Sequence, residues 1–294
     1  MTIFLTGGSG YIGSAVLSQL VARGREVRAL ARSDASAAAI EQAGGVAVRG
    51  EITDTDLLAR EAAASDGFIH TAATSTAADA DHDAAVLDAV LPALAGSGKA
   101  YVHTSGVWVH GSGATLTEAT PFAPPPITGW RLPLDARVRA AAADGVRSIV
   151  IAPGIVYGHG GGIPNLVKSA PRADGALLYV GGEQHWTTVH VDDLAHLYVL
   201  AFEQAEAGSY FLGVGGDNPL VEDLARAASH AAGLDGRVAP EPEADARERL
   251  GPMYDALVLD QEATGAHARE LGWKPRARTL VDELVVGSYA DLDG

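Results

Sequence analysis

The sequence predicts an α/β fold with a doubly wound parallel sheet. Three observations support this class: the chain opens with a strand, a glycine turn and a helix; strands and helices then alternate over short connections; and this regularity ends near residue 158. Short alternating connections are typical of parallel strands covered by helices on both faces. We therefore expect the sheet within residues 1–160. Residues 161–294 should form mainly a small second lobe, interwoven with the first because residues 187–215 return to the sheet.

The opening segment carries the spacing Gly8-x-Gly10-x-x-Gly13, with a further glycine at position 7. The early glycines allow a tight turn and let backbone N–H groups approach a pyrophosphate at a helix N-terminus. Gly13 lets the helix pack closely against the strand. The spacing alone is a weak signal, and an incidental glycine-rich turn is the alternative. Here it follows the apolar run at residues 3–5 and precedes a helical pattern, which favours a dinucleotide site.

The later elements follow in order from the same patterns. After the first strand, strands are predicted at residues 26–30, 46–49, 67–70, 100–104, 148–151 and 209–212. Helices are predicted at residues 14–23, 35–44, 57–64, about 84–95, 134–143, 192–204 and 219–232, with short helices at 261–271 and 279–286. The proline-rich segment 120–133 is expected to be a loop over the carboxyl edge of the sheet. Asp192 or Asp193 is expected to cap the helix at 192–204.

Composition narrows the class of protein. The chain has 294 residues, is 47% hydrophobic, and has no apolar run of the roughly 18 residues that span a membrane. We expect no signal peptide, because an apolar strand opens the chain. The absence of cysteine excludes disulfides, thiolate metal sites and cysteine nucleophiles. A net charge of −16 argues against nucleic-acid or anionic-membrane partners. A soluble cytoplasmic protein with a small-molecule substrate, monomeric or homodimeric, fits best.

The end of the second predicted strand bears on cofactor choice, because the adenosine ribose of a dinucleotide lies there. An acidic residue at this point would accept hydrogen bonds from a free 2′-hydroxyl and repel a 2′-phosphate. This strand instead ends at Arg32 and Ser33, which favours NADP(H). Asp34 follows at once, so NAD(H) is the weaker possibility, and a solvent-facing Arg32 without a ligand is the alternative interpretation.

Five motifs occur in a fixed order along the chain: TGGSGYIG, FIHTAA, VHTSG, PGIVYG and VHVDDLA. Together they resemble the extended and atypical short-chain dehydrogenase/reductases, the NAD-dependent epimerase/dehydratase-like group, over roughly residues 1–215. The resemblance implies a Rossmann domain with a small C-terminal substrate lobe. The residues implied to hold the cofactor, together with Arg32 and Ser33, are Thr6, Gly7, Gly10, Tyr11, Ile12, Gly13, Glu51, Ile52, Thr71, Ala72, Ala73, Thr104, Pro153, Gly154, Ile155 and Val156.

The chain departs from that family at its proton-transfer residues. The family uses a Tyr-x-x-x-Lys pair, in which tyrosine exchanges a proton with the substrate and lysine holds the nicotinamide ribose. No tyrosine occurs within residues 102–156. The pair should fall at Ile127 and Arg131, or else at Trp130 and Leu134. The tyrosine is absent on either alignment, while Arg131 is a candidate for the ribose contact or for binding an anionic substrate.

Other side chains are candidates for the missing chemistry. The family serine falls at Gly106, which leaves Ser105 one residue early. His110 stands where many relatives have tyrosine, and histidine exchanges protons near neutral pH. Ser105 and Thr104 are candidates to hold a carbonyl oxygen. Tyr157 is near the nicotinamide end, although a tyrosine there is more often structural.

Two further patterns allow more than one interpretation. Tryptophans 108, 130 and 186 either line an apolar pocket or belong to ordinary core packing. His185 and His190 are followed by carboxylates, but this is not a standard zinc spacing, so we expect no metal site.

Three functions remain open. The leading hypothesis is an NADP(H)-dependent oxidoreductase acting on a small carbonyl, imine or activated alkene, because the cofactor motifs are intact. The second is a non-redox isomerase, lyase or cyclase on the same fold, because the tyrosine is missing. The third is a dinucleotide-sensing regulator without catalysis.

Overall fold

The computed structural model describes residues 1–74 and 76–290. The strands, in chain order, are β1 (Thr2–Thr6), β2 (Glu26–Ala31), β3 (Val46–Arg49), β4 (Gly67–His70), β5 (Ala100–Thr104), β6 (Gly113–Leu116), β7 (Arg147–Pro153), β8 (Ile155–Tyr157), β9 (Arg172–Ala173), β10 (Ala176–Tyr179), β11 (Thr188–His190), β12 (Ser209–Gly213), β13 (Val238–Pro240) and β14 (Gln261–Ala263). The α-helices are α1 (Tyr11–Ala22), α2 (Asp34–Gln42), α3 (Thr55–Ala64), α4 (Asp79–Leu94), α5 (Arg131–Ala140), α6 (Asn165–Lys168), α7 (Val191–Gln204), α8 (Val221–Ala231), α9 (Glu243–Leu250), α10 (Tyr254–Leu257), α11 (Ala266–Glu270) and α12 (Leu280–Val286). Short 3₁₀ helices occupy Val107–His110, Ala141–Asp144 and Gly251–Met253.

The main sheet has seven strands in the order β3-β2-β1-β4-β5-β7-β12, and every neighbouring pair is parallel. The chain runs outward from β1 in one direction to β3 and then in the other direction to β12. The strand order therefore reverses between β1 and β4, where a crevice opens at the carboxyl ends of the strands. The predicted doubly wound parallel fold is confirmed.

The helices bury both faces of this sheet. Strand β1 shows the two-residue alternation of a strand between two cores: Leu5 packs with Val16 and Leu197 on the face that carries α1 and α7, whereas Phe4 packs with Leu87 on the face that carries α4. All of these side chains are completely buried. The carboxyl edge of the sheet is consequently held rigid from both sides.

The C-terminal region adds a third apolar core. A small sheet of β9, β10 and β13 packs against α8, and β8 pairs with β11 next to it. Helix α7 lies against α1, and β12 forms the outer strand of the main sheet, so both contact the first part of the chain. The boundary near residue 160 stays a prediction.

Several local expectations were wrong. Residues 261–271, predicted as one helix, contain strand β14, which pairs with β6, followed by the short helix α11. Strand β14 is only three residues long and receives its partner from residues 113–116, so no local pattern indicates it. Helix α7 begins after His190, whose Nδ1 accepts the Asp192 N–H, so neither Asp192 nor Asp193 is the cap.

Among the described helices, none combines the length and apolarity needed to cross a membrane.

Candidate functional site

The glycine turn between β1 and α1 leaves no room for side chains at two positions. Gly7 has a φ of +79°, and a Cβ there would lie 2.7 Å from the Ala72 nitrogen. A Cβ at Gly13 would overlap the Gly7 carbonyl. The turn closes with a 2.8 Å hydrogen bond from the Gly10 N–H to the Gly7 carbonyl. Helix α1 therefore starts in direct contact with the end of β1, as its glycine spacing predicts.

The outer side of this turn fits a pyrophosphate. A Cβ at Gly10 would meet only the Gly7 carbonyl, at 3.1 Å, and both Ser9 and Gly10 are exposed. Helix α1 has no side-chain cap and no acidic residue in its first turn, which begins with Tyr11 and Ile12. Its first N–H groups and the positive end of its dipole are thus available to an anion. The backbone here is shaped for a dinucleotide phosphate.

Residues after β4 form the neighbouring wall. The Thr71 hydroxyl donates a 2.8 Å hydrogen bond to the Thr6 carbonyl, which ties the end of β4 to the end of β1. Ala72 is half-buried and Ala73 is exposed. Their small side chains let a ligand approach the sheet edge closely.

The ribose end of the crevice holds two arginines. Arg32 is exposed, and no described residue pairs with its guanidinium. Ser33 caps α2, with its hydroxyl accepting the Ser36 N–H at 3.1 Å. Asp34 forms an ion pair with Arg49 from the end of β3. Sequence analysis missed Arg49, because only the pairing of β2 with β3 brings it beside Asp34.

Glu51 and Ile52, which the family resemblance implies bracket the adenine of the cofactor, follow β3. Glu51 is exposed and Ile52 is half-buried against the core on the α3–α4 face of the sheet. Both lie at the same edge as Arg49, and their contact with adenine stays a prediction.

The end of β5 lies in the middle of the carboxyl edge. The Thr104 hydroxyl donates a 2.6 Å bond to the His70 carbonyl and lies 2.7 Å from the Tyr198 hydroxyl. Ser105 is 5% exposed and donates a 2.5 Å bond to the Asp135 carboxylate. At Gly106 a Cβ would meet no atom within 4 Å. A side chain at Gly106, the position of the family serine, would therefore point into open space.

The first turn of α5 reaches the same place. The Arg131 guanidinium donates a 3.2 Å bond to the Thr104 carbonyl and lies 4.4 Å from the centre of the Trp130 ring. Ile127 is half-buried, whereas Leu134 is buried in the core. This placement favours the alignment in which Ile127 and Arg131 occupy the tyrosine and lysine positions, because Leu134 does not face the crevice.

Beneath the end of β5 lies a buried cluster of ionisable groups that sequence analysis missed. Asp135 is 3% exposed, and burial raises its pKa to about 6 although Ser105 bonds to it. His103 lies 3.7 Å from Asp135, and burial together with the neighbouring His70 lowers the pKa of His103 to about 3. The His70 and His103 rings stack at 5.6 Å, and Asp83 bonds to His70 at 3.0 Å. The sequence contained one indication of this cluster. Asp135 follows Arg131 by four residues, so both side chains lie on the same face of the helix.

Two predicted proton-transfer residues lie away from the crevice. His110 is 1% exposed, with Nδ1 3.1 Å from the Thr120 carbonyl and Nε2 3.0 Å from the Tyr210 hydroxyl. Burial lowers its pKa. The Tyr157 hydroxyl donates a 2.6 Å bond to the Arg278 carbonyl, and burial raises its pKa. Both groups are occupied by structural hydrogen bonds, so the geometry does not support either as the proton donor.

The segment after β7 leads from the crevice into the second lobe. Its Gly154 N–H bonds to the Gly213 carbonyl at 3.2 Å, and its Ile155 N–H bonds to the Thr187 carbonyl at 2.9 Å. Pro153 and Val156 are buried on either side. The segment therefore joins the main sheet to residues 187–188, directly beside Trp186.

A narrow cavity lies in the second lobe, and Trp186 forms one of its walls. Leu166, Leu178, Val221 and Leu257 complete much of the apolar lining. The Trp186 indole N–H donates a 2.9 Å bond to the Leu257 carbonyl. Trp186 therefore has both predicted roles, as a buried core residue and as the wall of an apolar pocket.

The other two tryptophans lie on the side of the crevice that faces α5. Trp108 packs against both the core under β5 and the core of the second lobe, and Trp130 packs against the former. These two residues contribute to packing near the crevice.

One cluster has the composition of a metal site. Ligand atoms of His159, His190 and Asp192 lie within 4.8 Å of one another. The His190 Nδ1, however, already accepts the Asp192 N–H at 3.2 Å, and His159 bonds to the Asp192 carboxylate at 3.0 Å. These contacts account for the cluster as a helix cap, and the expectation of no metal stays a prediction.

A glycine turn with an open helix N-terminus, set at the switch point of a parallel sheet, defines a Rossmann-type dinucleotide-binding protein. Residues 3–213 match the NAD-dependent epimerase/dehydratase family, and the chain belongs to this family. An enzyme of the oxidoreductase or epimerase/dehydratase kind, with a nicotinamide dinucleotide as cofactor, follows from that membership.

Individual relatives span most of the chain. An uncharacterised protein of Schizosaccharomyces pombe is 33% identical over 98% of this chain and 100% of its own length. A 4-hydroxy-2-methyl-3-oxo-4-farnesyl-3,4-dihydroquinoline-1-oxide ketoreductase of Stigmatella aurantiaca is 32% identical over 72% of this chain and 68% of its own. The crystal structure of a double mutant of dTDP-glucose 4,6-dehydratase from Streptomyces venezuelae, with NAD bound, has a TM-score of 0.79 at 24% identity, covering 99% of this chain and 96% of that one. The structural similarity supports the fold.

Proposed function

We propose that this protein is an NADP(H)-dependent oxidoreductase that transfers a hydride to or from a small carbonyl, imine or activated alkene. One observation carries the proposal: the pyrophosphate turn is intact, and Arg131 bonds to the end of β5 at the lysine position while Ile127 replaces the tyrosine. These features support a site whose cofactor half is retained and whose proton-transfer half has been replaced.

The residues of the crevice divide into holding and orienting roles. The turn at residues 7–13 holds the pyrophosphate through backbone N–H groups. When bound, the nicotinamide supplies or accepts a hydride. Arg131 is fixed between the Thr104 carbonyl and the Trp130 ring, so its remaining N–H groups can hold the ribose hydroxyls as the family lysine does.

The preference for NADP(H) rests on charge at the ribose end. Arg32 is unpaired among the described residues, and Asp34 is paired with Arg49. Asp34, the acidic side chain next to Arg32 in the chain, is therefore ion-paired, and Arg32 supplies an additional cation beside it. Charge-assisted bonds from arginine to phosphate are the stronger class of hydrogen bond.

The cavity beside Trp186 suggests the substrate class. Its lining is apolar apart from Arg249, whose guanidinium bonds to the buried Glu241 carboxylate at 3.0 Å through Nε. No free charge is left there to bind a phosphate. The Stigmatella relative is named for a substrate that carries an apolar farnesyl chain. We therefore propose a carbonyl substrate with an apolar substituent, which would have to widen this cavity of about 20 Å³ in order to enter the lobe.

The test is NADPH consumption with a panel of aldehydes, ketones, imines and enones, including compounds with short and long alkyl substituents. NADPH deuterated at the nicotinamide C4 should deliver deuterium to the product carbon. Binding of NADPH without consumption across the panel would refute the oxidoreductase proposal. That result would favour the second candidate, a non-redox isomerase, lyase or cyclase, which the missing tyrosine also permits, or a dinucleotide-sensing regulator.

A further inference from the structure

The Asp135 carboxyl group is held in an unusual environment. It is 3% exposed, and its Oδ2 accepts a 2.5 Å bond from the Ser105 hydroxyl. Its Oδ1 is buried without a hydrogen-bond partner among the described residues. A buried carboxylate normally receives several hydrogen bonds or an ion pair. With one hydrogen bond, and with His103 Nε2 3.7 Å from the other oxygen and too far away to bond to it, the neutral carboxylic acid is favoured more than in an exposed aspartate.

Other charged or titratable groups face this carboxyl from each element packed around it. The groups are Arg131 and Arg139 of α5, Tyr101 and His103 of β5, His70 of β4, Asp83 of α4 and Tyr210 of β12. The arginines favour the carboxylate and Asp83 favours the acid. Neither arginine forms an ion pair with Asp135 within the described part of the chain, so burial decides the balance.

Ser105 joins this buried acid to the residues at the end of β5. It follows Thr104, whose carbonyl binds Arg131, and precedes Gly106, beside which the space is open. We propose that the Ser105 hydroxyl gives its proton to the substrate oxygen and that Asp135 resupplies Ser105, so that the two replace the missing tyrosine. This inference rests on the proposed function.

Reduction of a carbonyl requires one hydride and one proton. The substrate carbon gains a hydride, with its electron pair, from the reduced nicotinamide, and a C–H bond forms as the C=O π bond breaks. The relay requires the Ser105 hydroxyl to turn from Asp135 towards the substrate, while the protonated Asp135 donates to the Ser105 oxygen in its place. The carbonyl oxygen then takes the Ser105 hydroxyl proton, and the Ser105 oxygen takes the proton of Asp135. Asp135 is left as a carboxylate and regains a proton from water before the next turnover. Oxidation of an alcohol reverses each transfer.

This assignment sets the pH dependence. Burial raises the pKa of Asp135 to about 6, so the acid needed for reduction is present below that pH and is lost above it. For reduction, kcat/KM should fall about tenfold per pH unit above 6. For oxidation, which needs the carboxylate, kcat/KM should rise with pH up to about 6 and then level off.

The experiment compares Ser105→Ala, Asp135→Asn and the double variant with the wild-type enzyme, using a substrate that the wild type reduces. Each single variant should lose about 100-fold or more in kcat while keeping NADPH affinity within about twofold. Because the two groups act on one proton, the double variant should be no slower than the slower single variant. Glu61→Gln is the matched control. It also converts a buried carboxylate, 7% exposed, into an amide, but on α3, where Glu61 pairs with Arg28 of β2 and has no bond to Ser105.

A second measurement needs neither substrate nor cofactor. Carbon-13 NMR of aspartate-labelled protein should show one carboxyl that titrates near pH 6, is absent in Asp135→Asn, and moves to higher pH in Ser105→Ala, because the Ser105 bond favours the carboxylate. An Asp135 signal that titrates at ordinary aspartate pH would overturn the proposal. So would variant kcat values within threefold of wild type or losses that multiply in the double variant. If the wild type reduces no substrate, the proposed function fails, and the NMR titration still decides the state of Asp135.

Discussion

Arg49, at the end of β3, forms an ion pair with Asp34, the first residue of α2. Both side chains are largely exposed, so the pair adds little to stability. The pair acts on the local charge, because the positive charge of Arg49 offsets the negative charge of Asp34 next to Arg32. In the sequence, Asp34 next to Arg32 left NAD(H) as the weaker possibility. In the structure, Asp34 pairs with a second arginine, Arg49.

The first prediction is that NADPH binds more tightly than NADH and that Arg32→Ala removes most of the difference. An arginine–phosphate contact that is partly exposed contributes roughly 1–3 kcal/mol, or about five- to 150-fold in affinity. Arg49→Ala should reduce the preference as well, because it leaves the Asp34 carboxylate unpaired. Fluorescence titration with both cofactors measures the ratio for each variant.

A surface arginine in the second lobe provides the control for these titrations. Arg226 pairs with Glu222 on the same helix, so Arg226→Ala should leave both affinities unchanged. Equal affinities of the wild type for NADH and NADPH would contradict the assignment of Arg32.

The second prediction concerns the pyrophosphate turn. Gly10→Val should abolish dinucleotide binding without unfolding the protein, because a Cβ at this position meets only the Gly7 carbonyl, at 3.1 Å, and the rest of the side chain would fill the outer side of the turn. Gly182→Val is the control: it adds the same side chain where no atom lies within 4 Å of the Cβ. Cofactor titration and thermal unfolding of both variants check the result. Undiminished affinity in Gly10→Val would place the phosphate elsewhere.

The third prediction concerns His110, a candidate for proton transfer from the sequence that the structure does not support. His110 spans from the Thr120 carbonyl to the Tyr210 hydroxyl and is closed off from the crevice. The variant should lose about 2–4 kcal/mol in unfolding free energy, from a cavity and two unpaired polar groups. Its kcat at saturating NADPH should stay within threefold of wild type. Urea unfolding and steady-state kinetics at low temperature separate the two effects.

Tyr157→Phe is a companion variant for the same question. It removes only the bond to the Arg278 carbonyl, which should cost about 1 kcal/mol and leave kcat unchanged. A collapse of kcat in either variant, with folding intact, would return that residue to the mechanism.

The parts of the fold that were predictable are those with a local signature. Apolar runs such as residues 67–70 and 100–104 match β4 and β5 residue for residue, and the glycine spacing gives the turn before α1. Strand β14 and the Arg49 contact depend on partners distant in the chain, so no window of sequence contains them. Asp135 looked like an ordinary polar residue of a helix because its burial is created where α5 packs against β7 and α4.

The last prediction concerns acid stability and follows from His103. Burial and the nearby His70 lower its pKa from 6.5 to about 3 in the folded protein. Between these values the unfolded chain binds a proton that the folded chain does not, so the free energy of unfolding decreases as the pH falls from about 6.5 towards 3. At 1.36 kcal/mol per pKa unit, the full difference corresponds to about 5 kcal/mol.

Asp135 acts in the opposite direction over part of this range. Its pKa is raised from 3.8 to about 6 by burial, so the folded protein holds a proton that the unfolded chain has lost, and its contribution becomes more favourable as the pH falls from 6 to 3.8. Wild-type stability alone therefore understates the effect of His103. The clean comparison is His103→Gln, whose amide can still bond to the Tyr101 hydroxyl, 3.3 Å from the His103 Nδ1.

Urea unfolding at pH 7, 5.5 and 4 should show the wild type losing stability relative to His103→Gln by several kcal/mol as the pH falls. His230→Gln, a change at an exposed histidine of α8, controls for the general effect of replacing a histidine with glutamine. Parallel stability curves for the wild type and His103→Gln would mean that His103 titrates alike in the folded and unfolded chains. That outcome would contradict the burial of His103 as a neutral imidazole within β5.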